Sequence, residues 1–504
     1  MTIIPGHPLC GAATLPGDKS ISHRAALFAA LAEGESHIEN FLVAGVTKVM
    51  LEALASLGIS WKLKGTSLTV FGRGISNIQS PISPIYCGNS ATTLRLLAGA
   101  IAAANIDAVL DGSPGLRRRP MDRIVEPLRE MGVDVEAVEE KYAPLTFRKS
   151  QQFSNSASQQ ITNQQSAISN SPTHPLTHSP TLQFPFRLHP SSFILPVASA
   201  QVKTCLLLAA LAAPEPITIL EPGPSRDHTE RMLASMGVSV KSEQLEVSGE
   251  SANQQADDSA SQQISNSQLS DQQSAIRPIS NTQYLTTLTP PHPCTLSPLH
   301  LTIPGDISAA AFLIVAALIT PGSEITIKGV GLNPTRTGLL DALTAMGANI
   351  RISNTQYPHN EPAGDLTIRH SPLHGAEISG PLVVRMIDEF PAFAVAAAYA
   401  NSPTTVREAT ELRHKESDRI TALCEQLRAV GVDVEEVEDG FTLPGNTPPR
   451  GGIVNPHGDH RLAMSLAVAG LGARDHIAIQ NPNIIHESYP EFQPTLASLG
   501  AQID

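Results

Sequence analysis

Six short polar phrases punctuate a largely apolar chain, and each opens an Ala/Leu-rich run. DKSISHR (Asp18–Arg24) precedes AALFAALAEG, CGNSATTLR (Cys87–Arg95) precedes LLAGAIAAA, and ASAQVKT (Ala198–Thr204) precedes CLLLAALAA. PGDIS (Pro304–Ser308) precedes AAAFLIVAALI, IDEFP (Ile387–Pro391) precedes AFAVAAAYA, and GDHR (Gly458–Arg461) precedes LAMSLAVAGL. Runs that are apolar nearly all round predict buried helices. The start of each such helix offers unpaired N–H groups and the positive end of its dipole. Several of them aimed at one region make an anion-binding centre. Ser20, Ser90, Ser199 and Ser308 also suit plain N-capping. Capping alone does not call for Lys19, Arg24, Asn89, Gln201, Asp388 or Arg461 beside the caps.

A seventh phrase, ELRHKESDRI (Glu411–Ile420), gathers Arg413, Lys415, Glu416 and Arg419. A solvated helix face would have this pattern. So would a carboxylate held among cations, with Asp388 as a second carboxylate. Acid/base groups set among cations suit proton transfer at a phosphate- or carboxylate-bearing substrate. The net charge of −13 argues against broad nucleic-acid binding. The basic clusters are local: Lys19/Arg24, Arg117–Arg119, Lys415/Arg419 and His460/Arg461. Local cations in an acidic chain point to a small anionic ligand.

The elements that must position these residues recur as well. LEALASLGI, VEPLREMGVDV, ERMLASMGVSV, LLDALTAMGANI, LCEQLRAVGVDV and TLASLGAQI share one form: an amphipathic helix, a Gly, then a short β-branched run. The Gly supplies a left-handed helix cap. Six copies imply six repeats of one supersecondary unit. The cap glycines 58, 132, 237, 347, 431 and 500 are separated by 74, 105, 110, 84 and 69 residues. The two long gaps each hold a Ser/Gln/Asn/Pro-rich tract, about Ser150–Ser192 and about Ser251–Ser297. Low hydrophobicity without a sustained period predicts disordered surface insertions.

A hydrophobic content of 41% over 504 residues supports two or three ordinary domains. The five cysteines (Cys10, Cys87, Cys205, Cys294 and Cys424) are scattered, which predicts free and buried thiols rather than a disulfide framework. His457-x-x-His460 is a weak metal pattern without further ligands. The longest apolar run, Ala309–Thr320, is too short for a bilayer. No secretory leader is read at the start, so a cytoplasmic protein is expected.

LPGDKSISHRA, CGNSATTLRLL, DGSPGLRRRPM, SAQVKTCLLLA, IDEFP, ELRHKESDR and GDHRLAM together resemble, in order, the signatures of the 5-enolpyruvylshikimate-3-phosphate synthase family. The resemblance covers the chain apart from the two tracts. It implies a two-domain inside-out α/β barrel of six βαβαββ repeats, three per domain. The implied domains are 16–303, and 1–15 with 304–504, joined by adjacent hinges near Leu15–Pro16 and Ile303–Gly305. The implied reaction transfers the enolpyruvyl group of phosphoenolpyruvate to the 5-hydroxyl of shikimate 3-phosphate through a tetrahedral intermediate, releasing phosphate. No cofactor or metal is implied, and a monomer is expected.

Carried over by resemblance, shikimate 3-phosphate would meet Lys19, Ser20, Arg24, Ser199, Ala200, Gln201, Arg226, Asp388 and Lys415. Phosphoenolpyruvate would meet Lys19, Asn89, Ala91, Arg119, Gln201, Arg419 and Arg461. Asp388 would be the base toward the 5-hydroxyl and Glu416 the proton donor to the methylene, with Lys19 and His460 as further participants. Asp18 stands where many relatives have Ser, Ala200 where some have Ser, and Glu487 where some carry a phosphoenolpyruvate-binding Lys. Ala91 replaces a Gly common in the family, and its methyl should crowd glyphosate more than the substrate. The sister transferase acting on UDP-N-acetylglucosamine usually has a Cys in the loop corresponding to Asp111–Pro120, which here has none. An inactive repeat scaffold is a further alternative.

Overall fold

The computed structural model describes residues 1–150, 191–246, 282–291, 294–357 and 360–504. It contains six four-stranded sheets with a common strand order. In each, a short first strand runs parallel to the second, and the fourth lies antiparallel between the second and third. In the third repeat, for example, the order across the sheet is Ser192–Ile194, Ile217–Glu221, Thr282–Thr289 and Ser239–Glu246. A parallel pair needs a crossover, and a buried inner helix is packed with every sheet. These helices are Lys19–Leu31, Ala91–Ala104, Ala200–Ala210, Ile307–Ile319, Phe390–Ala398 and His460–Leu471. An amphipathic outer helix links the second and third strands, and its closing Gly adopts φ between 80° and 111° in all six repeats. That left-handed conformation strains any residue with a Cβ.

Inner helices approach one another closely through small residues. A Cβ on Gly99 would lie 2.2 Å from the Cys205 carbonyl oxygen. Two hydrophobic cores result. One draws on residues from Ile21 to Ile303, the other on Ile3–Leu15 and on residues from Ile307 to Ala501.

Connectivity between the cores is exchanged. Strand Cys10–Thr14 pairs in the fourth sheet, yet the chain then enters the inner helix of the first repeat. Strand His300–Thr302 pairs in the first sheet, yet leads into the inner helix of the fourth. The N-terminal strand Thr2–Ile4 completes the sixth sheet. The two crossing segments touch. Gly17 and Gly305 form an antiparallel bridge, Asp18 N–H donates to Pro304 O at 2.9 Å, and Asp306 N–H donates to Pro16 O at 3.0 Å. Buried Arg336 ties both segments to the second core through Asp18 Oδ2 at 3.0 Å and Ser308 Oγ at 2.8 Å.

Three expectations need correction. The second tract does not run to Ser297, because Thr282–Thr289 is the fourth strand of the third sheet, in register with Ser239–Glu246. Its Thr-rich composition resembled the tract, but Thr and Tyr favour strands, and Thr286 and Leu288 are buried with period two. The expected disorder of 151–190 and 251–281 lies outside the described residues. Ser20 and Ser308 are not caps; Asp18 and Asp306 accept the cap N–H bonds of those helices, while Ser90 and Ser199 cap as expected. The cysteines are free, but Cys10 is exposed and Cys294 half-buried.

A deletion confined to 251–281 should therefore leave soluble yield and turnover near normal. Extending it through residue 289 removes a central strand and should abolish soluble protein, as an expression and gel-filtration comparison will show.

Candidate active site

Five of the six polar phrases open into one cleft of about 290 Å³ between the two cores. The inner helix of the first repeat delivers Lys19, Ser20 and Arg24. The second repeat delivers Asn89, Ala91 and Arg95, and the third Ser199, Ala200 and Gln201. Across the cleft stand Asp388, Lys415, Glu416, His460 and Arg461. All the sequence-predicted site residues line this cleft except Arg419, which is buried behind its wall. The fourth phrase does not reach it. Asp306 instead accepts the Lys19 N–H at 3.1 Å, and Ser308 serves the Arg336 cluster. Of Arg117–Arg119, Arg119 alone lines the cleft, while Arg117 is paired with Asp111 near the surface. Arg413 is bound to Asp418 and Glu436 on the outside.

A continuous web of cations and carboxylates forms the floor. Arg419 donates from Nε to Asp459 Oδ2 at 2.7 Å and pairs with Glu416; its Nη1 is 3.4 Å from Asp388 Oδ1. Asp388 also pairs with Arg226 from the opposite core, and Arg461 Nη2 lies 3.5 Å away. Glu416 meets Arg119 Nη2 at 3.2 Å, again across the cleft. Asp459 was not singled out from the sequence. It anchors Arg419 while its other oxygen caps the helix carrying Arg461, accepting the Arg461 N–H at 2.9 Å. Its place one residue before His460 in GDHR, at a helix start, is the signal that could have revealed it.

The first-core wall depends on neutral oxygens. Buried Arg24 donates to Thr229 Oγ1 at 2.9 Å, Thr204 Oγ1 at 2.8 Å, Ser20 O at 3.1 Å and Ala200 O at 3.2 Å. Arg226 Nη1 donates to Ser20 Oγ at 2.9 Å. Gln201 is fixed at both ends, accepting from Arg95 Nη1 at 2.7 Å and donating to Thr92 Oγ1 at 2.8 Å. Arg95 also escaped sequence reasoning, since one Arg on an apolar helix reads as an edge residue. A fully buried triad lies beneath. Lys203 sits 2.9 Å from Glu221 and 2.7 Å from Glu230, and Glu221 accepts the Ser199 N–H at 3.0 Å.

Burial and like charge set the protonation states. Burial, with Arg461 nearby, pulls the Lys19 ammonium down to about 8 against the pull of Glu416, Asp388 and Asp306. Lys415 is lowered mainly by burial. Burial would raise the Asp388 carboxyl, but Arg461, Arg226, Lys415 and Arg419 outweigh it and hold the group well below the usual range. Glu416 is likewise held low, chiefly by Arg419 and Arg119 against burial. His460 is pushed down to about 3 by burial and by Lys19, so it is neutral near pH 7. His457 lies apart from it, against Glu425 and Gln426, so the two histidines do not form one ligand set.

Another polar cluster joins the cores beside Arg226. His228 Nδ1 is 2.7 Å from Glu361, and Asn333 Nδ2 donates to Asp227 at 2.6 Å and Glu361 at 3.0 Å. The potential ligand atoms of Asp227, His228 and Glu361 lie within 4.8 Å of one another. Asn333 Oδ1 accepts from Thr335 N–H at 2.9 Å. That bond turns the Asn333 amino group into the space between the ligand atoms, which makes the cluster a cross-brace.

The enolpyruvyl transferase NikO from Streptomyces tendae has the same fold, with TM-score 0.68 at 18% identity, covering 100% of this chain and 98% of that one. The family model for EPSP synthase (3-phosphoshikimate 1-carboxyvinyltransferase) matches residues 3–171, 173–262 and 275–496. An EPSP synthase structure from Acinetobacter baumannii aligns with TM-score 0.76 and 33% identity over 100% of this chain and 99% of that one. The 3-phosphoshikimate 1-carboxyvinyltransferase of Roseiflexus sp. (strain RS-1) is 40% identical, covering 98% of each chain; that of Carboxydothermus hydrogenoformans is 41% identical over 97% of each. The chain belongs to the EPSP synthase family, and its activity is enolpyruvyl transfer to shikimate 3-phosphate in aromatic amino-acid biosynthesis.

The lowered Lys19 pKa fixes a sign. Lys19 is charged well below its pKa of about 8 and loses that charge as pH rises through that value. Because kcat/KM reports groups of the free enzyme, kcat/KM should fall above about pH 8. Lys19→Arg should move that alkaline limb upward, as a pH–rate profile will register.

Proposed function

We propose that the cleft holds phosphoenolpyruvate and shikimate 3-phosphate together and that its own carboxylates act as counterions which the substrates replace. Shikimate 3-phosphate lies against Lys19, Ser20, Arg24, Ser199, Ala200, Gln201, Arg226 and Lys415. Phosphoenolpyruvate lies against Lys19, Asn89, Ala91, Arg119, Gln201 and Arg461, with Arg419 reached from behind the wall as Glu416 and Asp388 give way. The supporting observation is that Arg226, Arg119, Arg419 and Arg461 converge on only two cleft-lining carboxylates, Asp388 and Glu416. A phosphate or carboxylate offers these guanidinium groups stronger forked partners.

The same exchange prepares the proton transfers. Cations hold Asp388 and Glu416 deprotonated and weakly basic. As substrate anions draw those cations away, both carboxyl groups rise toward values useful in acid/base work. With both substrates bound, Glu416 takes up a proton from solvent. Asp388 then accepts the proton of the 5-hydroxyl as that oxygen bonds to C2 of phosphoenolpyruvate, and Glu416 gives its proton to the enol methylene as the C2–C3 double bond opens, giving the tetrahedral intermediate. Elimination returns the methylene proton and expels phosphate. Lys19, which loses its proton near pH 8, is the third member of the relay. Neutral His460, which also lines the cleft, assists. The positively lined cleft stabilises charge as it develops.

The two cores act as two domains, residues 16–303 and 1–15 with 304–504, closing about the paired crossings to exclude water. No helix among the described residues is long and apolar enough to cross a membrane, and the working form is a cytoplasmic monomer.

Phosphate release from phosphoenolpyruvate should require shikimate 3-phosphate and should not occur with UDP-N-acetylglucosamine. Asp388→Asn and Glu416→Gln should each lower kcat by about 10²–10⁴-fold, with some fall in thermal midpoint because each removes a counterion from the buried cation cluster. Wild-type turnover by either variant would remove that residue from the relay.

Ala91 is buried at the first position of its helix and faces the cleft beside Asn89. A single methyl group in a close-fitting pocket discriminates about tenfold or more. Glyphosate should inhibit the wild-type enzyme weakly, and Ala91→Gly should lower its inhibition constant by at least that factor. Equal constants for the two forms would rule the methyl out.

A further inference from the structure

We infer that Arg123 and Glu411 are positioning residues forming a latch across the cleft, which keeps Arg119 and Glu416 in register while those two exchange partners with substrate. Arg123 stands in the first turn of helix Asp122–Glu130, four residues after Arg119, and that helix is seated in the first core through Ile124, Val125 and Leu128. Glu411 stands in the turn Thr410–His414, five residues before Glu416, and its neighbour Leu412 is in the second core. The two side chains meet as a fork. Nη1 donates to Oε2 at 2.8 Å and Nη2 to Oε1 at 2.9 Å. Two parallel bonds fix orientation as well as distance. Arg123 is raised by its hydrogen bonds with Glu411, and Glu411 is lowered by Arg123 against burial, so both are charged at neutral pH.

The latch follows from what the other two ion pairs that line and cross the cleft must do, since the Asp227–His228–Asn333–Glu361 brace lies outside the cleft lining. Arg119–Glu416 and Arg226–Asp388 also join the two cores. Each contains groups proposed above to take up substrate or to move a proton, so each is surrendered during the reaction. A closure that relied on them would loosen at the moment it was needed. Arg123–Glu411 bridges the same two chain segments as Arg119–Glu416 and belongs to neither substrate set. The inference rests on the cleft reading under Proposed function. Its physical core, a bond between the two bodies, can be measured without the reaction.

The test uses charge reversal in the full-length enzyme: Arg123→Glu, Glu411→Arg, and the two combined. Both side chains are about one-quarter to one-third exposed, so folding should survive, with thermal midpoints near wild type. Each single reversal places like charges face to face. It should lower kcat/KM for phosphoenolpyruvate at least tenfold and raise the radius of gyration measured by small-angle X-ray scattering. The double reversal should restore kcat/KM to within about threefold and return the radius to the wild-type value. Single variants with unchanged kinetics and radius would overturn the latch. So would a double variant no better than the worse single, which would mean that each side chain acts on substrate by itself. Wild-type scattering and turnover, recorded alongside, separate failure of the latch from failure of the cleft reading, because the radius responds to the bond whatever the substrate.

Discussion

Positive charge cannot be concentrated in a buried cleft without nearby negative charge, because the desolvation cost of an uncompensated cation is too large. Arg419 shows how the constraint is met. It is almost completely buried and touches Asp459, Glu416 and Asp388 at once. Asp459 holds it permanently from beneath, at an N-cap that is itself buried. Glu416 and Asp388 face the cleft and are shared with Arg119, Arg226 and Arg461. The counterions that make the cation cluster foldable are thus the same two carboxylates proposed above for acid/base chemistry.

The remaining architecture serves that cluster. Repeating one unit six times produces six inner helices, five of whose N-terminal regions can face a common space. The fourth is diverted to the crossing, where Asp306 receives the Lys19 backbone N–H and Arg336 binds Asp18. Lys19 is therefore placed by contacts at the junction of the two cores. The exchanged strands have the same effect on a larger scale. Each core contributes a strand to a sheet whose inner helix follows the other crossing, so the two bodies are joined by paired backbone segments rather than by one flexible link.

Much of this was legible in the sequence because it is local or periodic. The Gly-capped amphipathic helices follow from 3.6-residue spacing and from the one residue type that tolerates a left-handed cap. The polar helix starts follow from composition changing abruptly at an apolar run. The strand Thr282–Thr289 was missed because its alternation is carried by Thr rather than by aliphatic residues, next to a tract of similar composition. Ser20 and Ser308 were misread as caps because Asp18 and Asp306, two positions earlier, compete for the same N–H groups.

What the sequence by itself determined was the repeat, the six buried helices and the residue types at their starts, since these depend on neighbours a few positions apart. Only the tertiary structure decided partnership: that Asp388 faces Arg226 across 162 positions, that Arg123 meets Glu411 across 288, and that PGDIS serves the crossing while its five counterparts line the cleft. Ion pairing in a folded chain depends on distance and desolvation after the cores have packed, and no spacing along the chain encodes either quantity.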